Sequence, residues 1–166
     1  TKGILIVHVL GNSTNMNELM KIKKKHNLYL IEDTCESLGT RFRNKYLGSF
    51  GEFSSFSFYS SHQISSGEGG MITCQNSEDY EIIKSLRSHG WSRGLKREKQ
   101  IAKKNNHLDS RFIFFNSGFN LRPTDVSAAI GHSQFKDMDK LTRSRNFNRQ
   151  KIVNSLKKND IINKNF

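Results

Sequence analysis

Several stretches of this 166-residue chain carry side chains that can move protons or grip anions. Asp33 closes the apolar run Leu28-Tyr29-Leu30-Ile31-Glu32, which puts a carboxylate where a buried strand gives way to its loop. Glu36 follows three residues later. His62 sits inside Ser57-Phe58-Tyr59-Ser60-Ser61-His62-Gln63-Ile64-Ser65-Ser66-Gly67-Glu68-Gly69-Gly70. An imidazole in such a place is suited to taking and giving a proton near neutral pH. His89 and Arg93 lie in Leu86-Arg87-Ser88-His89-Gly90-Trp91-Ser92-Arg93, and a planar guanidinium fork matches phosphate oxygens. Asn120 and Arg122 belong to Gly118-Phe119-Asn120-Leu121-Arg122-Pro123-Thr124-Asp125, eight to ten residues after Phe112. Plainer readings stand beside these. Asp33 can cap a turn, Glu36 can be an ion-pair residue, Ser57 can face solvent, and a lone histidine is often a satisfied one. Arg93 can be a solvated loop residue, and Asn120 and Asp125 can cap a helix.

The elements that must position these residues follow from the hydrophobic pattern. Residues 3–10 read as a strand buried on both faces, and 11–14 as a turn. A helix is expected over 16–26, with Met16, Leu19, Met20 and Ile22 on one face and lysines outside. A second buried strand spans 28–31. Strand, helix, strand in some thirty residues is a βαβ unit, so a parallel sheet is expected, with functional groups beyond the carboxyl ends of its strands. Further strands are expected at 53–59 and 70–74, and a helix from 77 to about 88. Residues 90–106 read as a long polar loop. Pro123 is expected to open a helix carrying Val126, Ala129 and Ile130, and an amphipathic helix to run from about 139 to 157 through Leu141, Phe147, Ile152 and Leu156.

Taken together, these motifs resemble the DegT/DnrJ/EryC1/StrS family of nucleotide-sugar aminotransferases. In that family a Ser-Phe pair is followed, four residues after the Phe, by a lysine that holds pyridoxal phosphate, and the run closes on Gly-Glu-Gly-Gly. Here the lysine position is His62. Only a primary amine forms a stable imine with the cofactor's aldehyde, so the resemblance implies a non-covalently held cofactor, as in the family's sugar 3-dehydratase branch. The implied fold is α/β, an aspartate-aminotransferase-like (fold type I) three-layer α/β/α arrangement with a mostly parallel sheet. Residues 1–135 would form the carboxyl-terminal half of the large cofactor-binding domain, and 136–166 a linking helix toward a small domain. The chain then reads as an internal piece of a longer protein, starting on an apolar run and ending in an Asn/Lys-rich tail at 157–166.

By the same resemblance Asp33 pairs with the cofactor's ring nitrogen, Glu36 faces its phenolic oxygen, and Ser57 binds its phosphate. Asn120 would reach a neighbouring subunit's cofactor phosphate, which implies a homodimer with shared sites. His89, Arg93, Arg122 and Phe112 would face the sugar nucleotide. Gln63 departs from the second histidine that often follows in the dehydratases. The implied activity is removal of the C3 oxygen from a nucleotide-linked 4-keto-6-deoxyhexose in deoxysugar and O-antigen biosynthesis, with glutamate, converted to 2-oxoglutarate, restoring pyridoxamine phosphate. Dehydratases with an iron–sulfur cluster gather cysteines after the His89 segment, and residues 91–110 contain none, so no cluster and no metal is expected. An ordinary aminotransferase with a displaced lysine finds no substitute, because no lysine lies between Lys45 and Lys84. A non-catalytic homologue that binds a nucleotide sugar is the alternative of a different class.

Composition narrows the remaining classes. The net charge of +12 invites a nucleic-acid reading, but the basic residues are spread over helix faces and loops, so no nucleic-acid partner is expected. No window has the length and apolarity of a membrane span, and no signal peptide is visible. Cys35 and Cys74 lack ligand spacing and read as buried reduced thiols, which fits a cytoplasmic protein.

Overall fold

A computed structural model describes residues 1–158; the last part of the expected Asn/Lys-rich tail, 159–166, lies outside the described residues. Strand β1 (Gly3–Val7) leads through a short 3-10 turn (Val9–Gly11) to helix α1 (Met16–His26), and the chain returns as β2 (Tyr29–Asp33). A small hairpin of β3 (Arg41–Phe42) and β4 (Lys45–Tyr46) precedes β5 (Phe53–Ser57) and β6 (Gly70–Cys74). Helix α2 (Ser77–Leu86) follows, then α3 (Glu98–Lys104), α4 (Asp125–Phe135) and α5 (Met138–Lys157). The main sheet has the order β1-β2-β5-β6. Its first two pairings are parallel and β5–β6 is antiparallel, so the sheet is mostly parallel as expected.

Local signals set these boundaries. Asn15 caps α1 by accepting from the backbone N–H of Glu18, and Asn27 ends it in the left-handed region at φ 49°. Asn76 caps α2 through Asp79 in the same way. The register pairs Ile31 with Phe53 and Asp33 with Ser55, which puts these four side chains on one face, with Leu30, Glu32 and Ser54 on the other. That second face carries the core: Met16 of α1, Leu30 and Leu47 are buried, with Ile4, Ile6, Leu19, Met20, Phe42 and Phe50 packed around them. Fully burying a leucine or methionine side chain contributes about 1.5–3 kcal/mol, so α1 is held mainly by this contact. On the first face Ile31, Phe53 and Ile72 share an apolar cleft with Ile83 of α2. Helices on both faces of the sheet make the three-layer arrangement.

The structure departs from the pattern in several places. The strand expected at 3–10 stops at Val7, and it is not buried on both faces: Leu5 and Val7 stay 66% and 46% exposed. β1 is an edge strand, and the helix connecting it to β2 covers only the opposite face. The loop expected at 90–106 contains α3, whose Lys-rich sequence offers only Ile101 and Ala102 to a hydrophobic period. Pro123 lies outside α4, whose N-cap is Thr124, accepting from the N–H of Ser127. On α5 the side chains of Leu141, Phe147, Ile152 and Leu156 are all exposed. Cys35 and Cys74 are free thiols, as expected, but only half-buried, because each lies at a strand end rather than in the core.

Candidate active site

At the carboxyl end of β2 the chain turns sharply, with Ser37 donating to the carbonyl of Thr34 and Thr40 to that of Ser37. Thr34 is fully buried and locks this turn onto β5, its backbone N–H and its hydroxyl both donating to the carbonyl of Ser55, at 2.9 and 2.6 Å. Asp33 therefore projects from a fixed strand end. Its Oδ1 accepts the backbone N–H of Cys35 at 3.0 Å, and the Cys35 thiol lies 3.8 Å from the Ser55 hydroxyl. Partial burial works to raise the Asp33 pKa. Hydrogen bonds from the Cys35 thiol and N–H and from Ser55, together with the charge of His62, outweigh it and hold the carboxyl below its ordinary range. By the same contacts, burial and the neighbouring Asp33 push the Cys35 thiol up.

His62 rides on the 58–69 loop between β5 and β6. The base of the loop is closed by Phe58 N–H to the carbonyl of Gly69 and by Ser66 N–H to that of Phe58, at 2.8 and 2.9 Å. Its far side is bolted to α4, where the Gln134 side chain accepts from Ser65 N–H at 3.0 Å and donates to the Ser65 carbonyl at 2.7 Å. The imidazole meets Tyr59 edge to face, ring centroids 6.0 Å apart. Its Nδ1 is enclosed with no hydrogen-bond partner, whereas Nε2 is not enclosed. Nε2 is thus the nitrogen free to meet a ligand. His62 acts electrostatically on Asp33, twenty-nine residues away in sequence. Ser57 ends β5, and its hydroxyl accepts the N–H of Tyr59 at 3.2 Å while keeping its own proton free to donate. Glu36 accepts the N–H of Leu10 at 2.7 Å through Oε2, so one of its oxygens is committed to the turn after β1.

The remaining expected residues form a second group. The 86–92 segment is knitted to 113–121 by backbone bonds: Phe119 N–H to the Leu86 carbonyl, His89 N–H to that of Phe119, Leu121 N–H to that of Arg87, and Ser92 N–H to that of Ile113. Two glycines permit this crossing. Gly90 has φ 80°, and a Cβ there would stand 1.6 Å from the Asn116 carbonyl oxygen. At Gly118 a Cβ would stand 2.2 Å from the backbone nitrogen of Gly90. The knot holds His89, itself at φ 61°, with Asn120, which bridges to Ser88. Arg93 lies over the Trp91 ring at 5.3 Å, and Trp91 stacks on Phe114. His89, Arg93, Asn120, Arg122 and Phe112 are all exposed, and no hydrogen bond or ion pair among the described residues joins them to Asp33 or His62.

Sequence reasoning passed over two positions that matter here. Glu32, read only as the end of a strand, is fully buried and accepts backbone N–H bonds from Gly48, Phe50 and Gly51 at 2.9, 2.7 and 2.7 Å, with His8 Nε2 3.2 Å away. A charged residue inside an apolar strand run was the available signal, since such a group persists only when satisfied. Gln134, on the helix packed against the loop, had no signal in sequence.

The sequence pattern of the DegT/DnrJ/EryC1/StrS aminotransferase family matches residues 1–165. GDP-4-keto-6-deoxy-D-mannose 3-dehydratase of Escherichia coli O55:H7 is 37% identical over 159 residues, covering 95% of this chain and 41% of that protein. GDP-perosamine synthase of Vibrio cholerae is 35% identical over 145 residues, 87% of this chain and 35% of that protein. Among solved structures, the E. coli GDP-4-keto-6-deoxy-D-mannose-3-dehydratase with bound hydrated PLP superposes with a TM-score of 0.87 at 37% identity, over 95% of this chain and 41% of that one. The chain thus spans about a third to two fifths of the length of these relatives.

Proposed function

Because the chain belongs to the DegT/DnrJ/EryC1/StrS aminotransferase family, we propose that it is part of a pyridoxamine-phosphate-dependent 3-dehydratase of a nucleotide-linked 4-keto-6-deoxyhexose, a GDP-linked sugar by its similarity to the E. coli enzyme. Overall identity does not separate this reading from an aminotransferase, since a dehydratase and a perosamine synthase match at 37% and 35%. One residue carries the choice: His62 stands where the family pattern has its lysine, inside an otherwise intact segment.

The residues present fit the cofactor. Asp33 is a carboxyl held below its ordinary range at a strand end, which suits pairing with a protonated ring nitrogen. Ser57 has a free hydroxyl proton for the phosphate, and Glu36 retains one oxygen to face the ring's phenolic side. When bound, the cofactor's ring supplies an electron sink. His62 is the proton carrier: Nε2 takes up a proton in the activating step and delivers it to the departing C3 hydroxyl, which leaves as water. Arg93, His89, Arg122 and Phe112 bind the sugar nucleotide, Asn120 serves the partner's cofactor in a homodimer, and glutamate restores the amine with release of 2-oxoglutarate. Residues 1–135 belong to the large domain, and α5 is the helix that leads out of it. No described helix is long and apolar enough to cross a membrane, and we place the enzyme in the cytoplasm.

The test uses the full-length protein with pyridoxamine phosphate, glutamate and the GDP-linked 4-keto-6-deoxy sugar. A product lacking the C3 oxygen is expected. An amino-sugar product would instead make the protein an aminotransferase, and an unchanged sugar with unchanged cofactor absorbance would make it a binder.

A further inference from the structure

We propose that Gln63 is the positioning residue for His62, tying the proton-carrying loop to the turn that follows Asp33; this rests on the dehydratase reading above. The His62 ring has no hydrogen-bonded group to orient it: Nδ1 is enclosed and unpartnered, and the Tyr59 contact is an edge-to-face packing with no directional bond. A catalytic imidazole is normally held by a third group, and here the ring can only be as well placed as its loop. At the loop tip the backbone makes one turn bond, His62 N–H to the Tyr59 carbonyl at 3.0 Å. The bolts at Phe58, Ser65 and Ser66 sit at the base and the far side.

Gln63 supplies the missing constraint. Its Nε2 donates to the carbonyl of Glu36, across the gap between the loop after β5 and the turn after β2. Among the described residues this is the one hydrogen bond that joins the tip, 60–64, to that turn. The carbonyl it reaches is rigid. Glu36 lies within the 34–40 turn closed by Ser37 and Thr40, and its own carboxyl holds Leu10 N–H at 2.7 Å, keeping Leu10 in the left-handed region at φ 52°. Leucine enters that region only under constraint, so the bond is a firm one. Three loops at the carboxyl ends of β1, β2 and β5 thus meet at Glu36, and Gln63 is the link that includes His62. The amide is committed in one sense only, because a carbonyl accepts and Nε2 alone can donate. A histidine at the same place offers one N–H for the same bond, so glutamine and histidine are interchangeable in this role while apolar side chains are not.

The experiment compares Gln63→Met, which keeps length but has no donor, with Gln63→His, in the full-length enzyme. Gln63→Met is expected to lower kcat about tenfold to hundredfold, the range a misplaced catalytic group commonly costs, while KM for the sugar stays within about twofold. Gln63→His is expected to recover most of the loss. A second readout needs neither turnover nor cofactor: carbethoxylation of His62 in the apoprotein, followed by mass spectrometry, should run about threefold or more faster in Gln63→Met, because an untied loop exposes the ring. Unchanged kcat together with unchanged His62 reactivity in Gln63→Met overturns the proposal. So does a lowered melting temperature with kcat intact, which would make the bond purely structural. If the unmutated enzyme forms no 3-deoxy product, the functional reading fails, and the carbethoxylation comparison alone then decides the role of Gln63.

Discussion

At the scale of single residues, the proposed chemistry divides between one group that must change charge and one that must keep it. On the proposed reading, His62 occupies a position at which an amine would capture the cofactor's aldehyde. His62→Lys is therefore expected to hold pyridoxal phosphate covalently and to abolish dehydration. Borohydride reduction and mass spectrometry should find the cofactor on the substituted residue, and on no lysine of the unmutated protein. On the same proposal Asp33 must stay ionised. Its pKa is depressed in the folded chain, so its contribution to stability is present above the unfolded carboxyl's titration, near 3.8, and is lost as pH falls through the lower folded value. Asp33→Asn lacks this contribution. Its melting curve should approach that of the unmutated protein only in acid below that range, and its turnover at neutral pH should fall by on the order of a hundredfold or more. Identical acid-stability profiles would show that the strand-end contacts do not act on Asp33.

At the scale of elements, the site depends on buried polar contacts more than on the core. The fully buried Glu32 holds three backbone N–H groups of the loop at 48–51, while Gln75 donates to the carbonyls of Ser49 and Gly51. Glu32→Ala leaves all three orphaned, and at about 1–3 kcal/mol each the variant should lose at least roughly 3 kcal/mol in denaturant titration. The crossing of 86–92 with 113–121 is equally specific. Gly118→Ala must push a methyl group into backbone with no flexible side chain to yield, so a loss of about 3 kcal/mol or more is expected, with protease cleavage appearing between 86 and 121. Full retention of stability in this variant would show that the segments part without cost. These elements were unevenly legible. Helix α1 was readable from the apolar period of Met16, Leu19, Met20 and Ile22, whereas its cap Asn15, like Asn76 before α2, became visible only in the structure. Helix α3 was not, because its residues carry almost no period.

At the scale of the whole molecule, the surface of α4 and its approach remains open, with Phe119, Leu121, Val126, Ile130 and Phe135 each 45–70% exposed. Asn120 and Arg122 belong to this surface, and we expect them to complete a neighbouring subunit's site. Inactive full-length His62→Asn and Arg122→Ala subunits, allowed to exchange, should then regain activity, because one site of each mixed dimer inherits both defects and the other neither. Mixed dimers without activity would place Arg122 in its own subunit's site. The sequence by itself determined the family and the βαβ start, because these rest on residue types and hydrophobic period at short spacings. Only the tertiary structure decided what holds them. Glu32, Gln63 and Gln134 act through backbone groups 16 to 69 residues away, along hydrogen bonds whose far ends carry no mark in sequence. Every residue offers the same N–H and C=O, so which of them meet is settled by the packing of strands and loops alone.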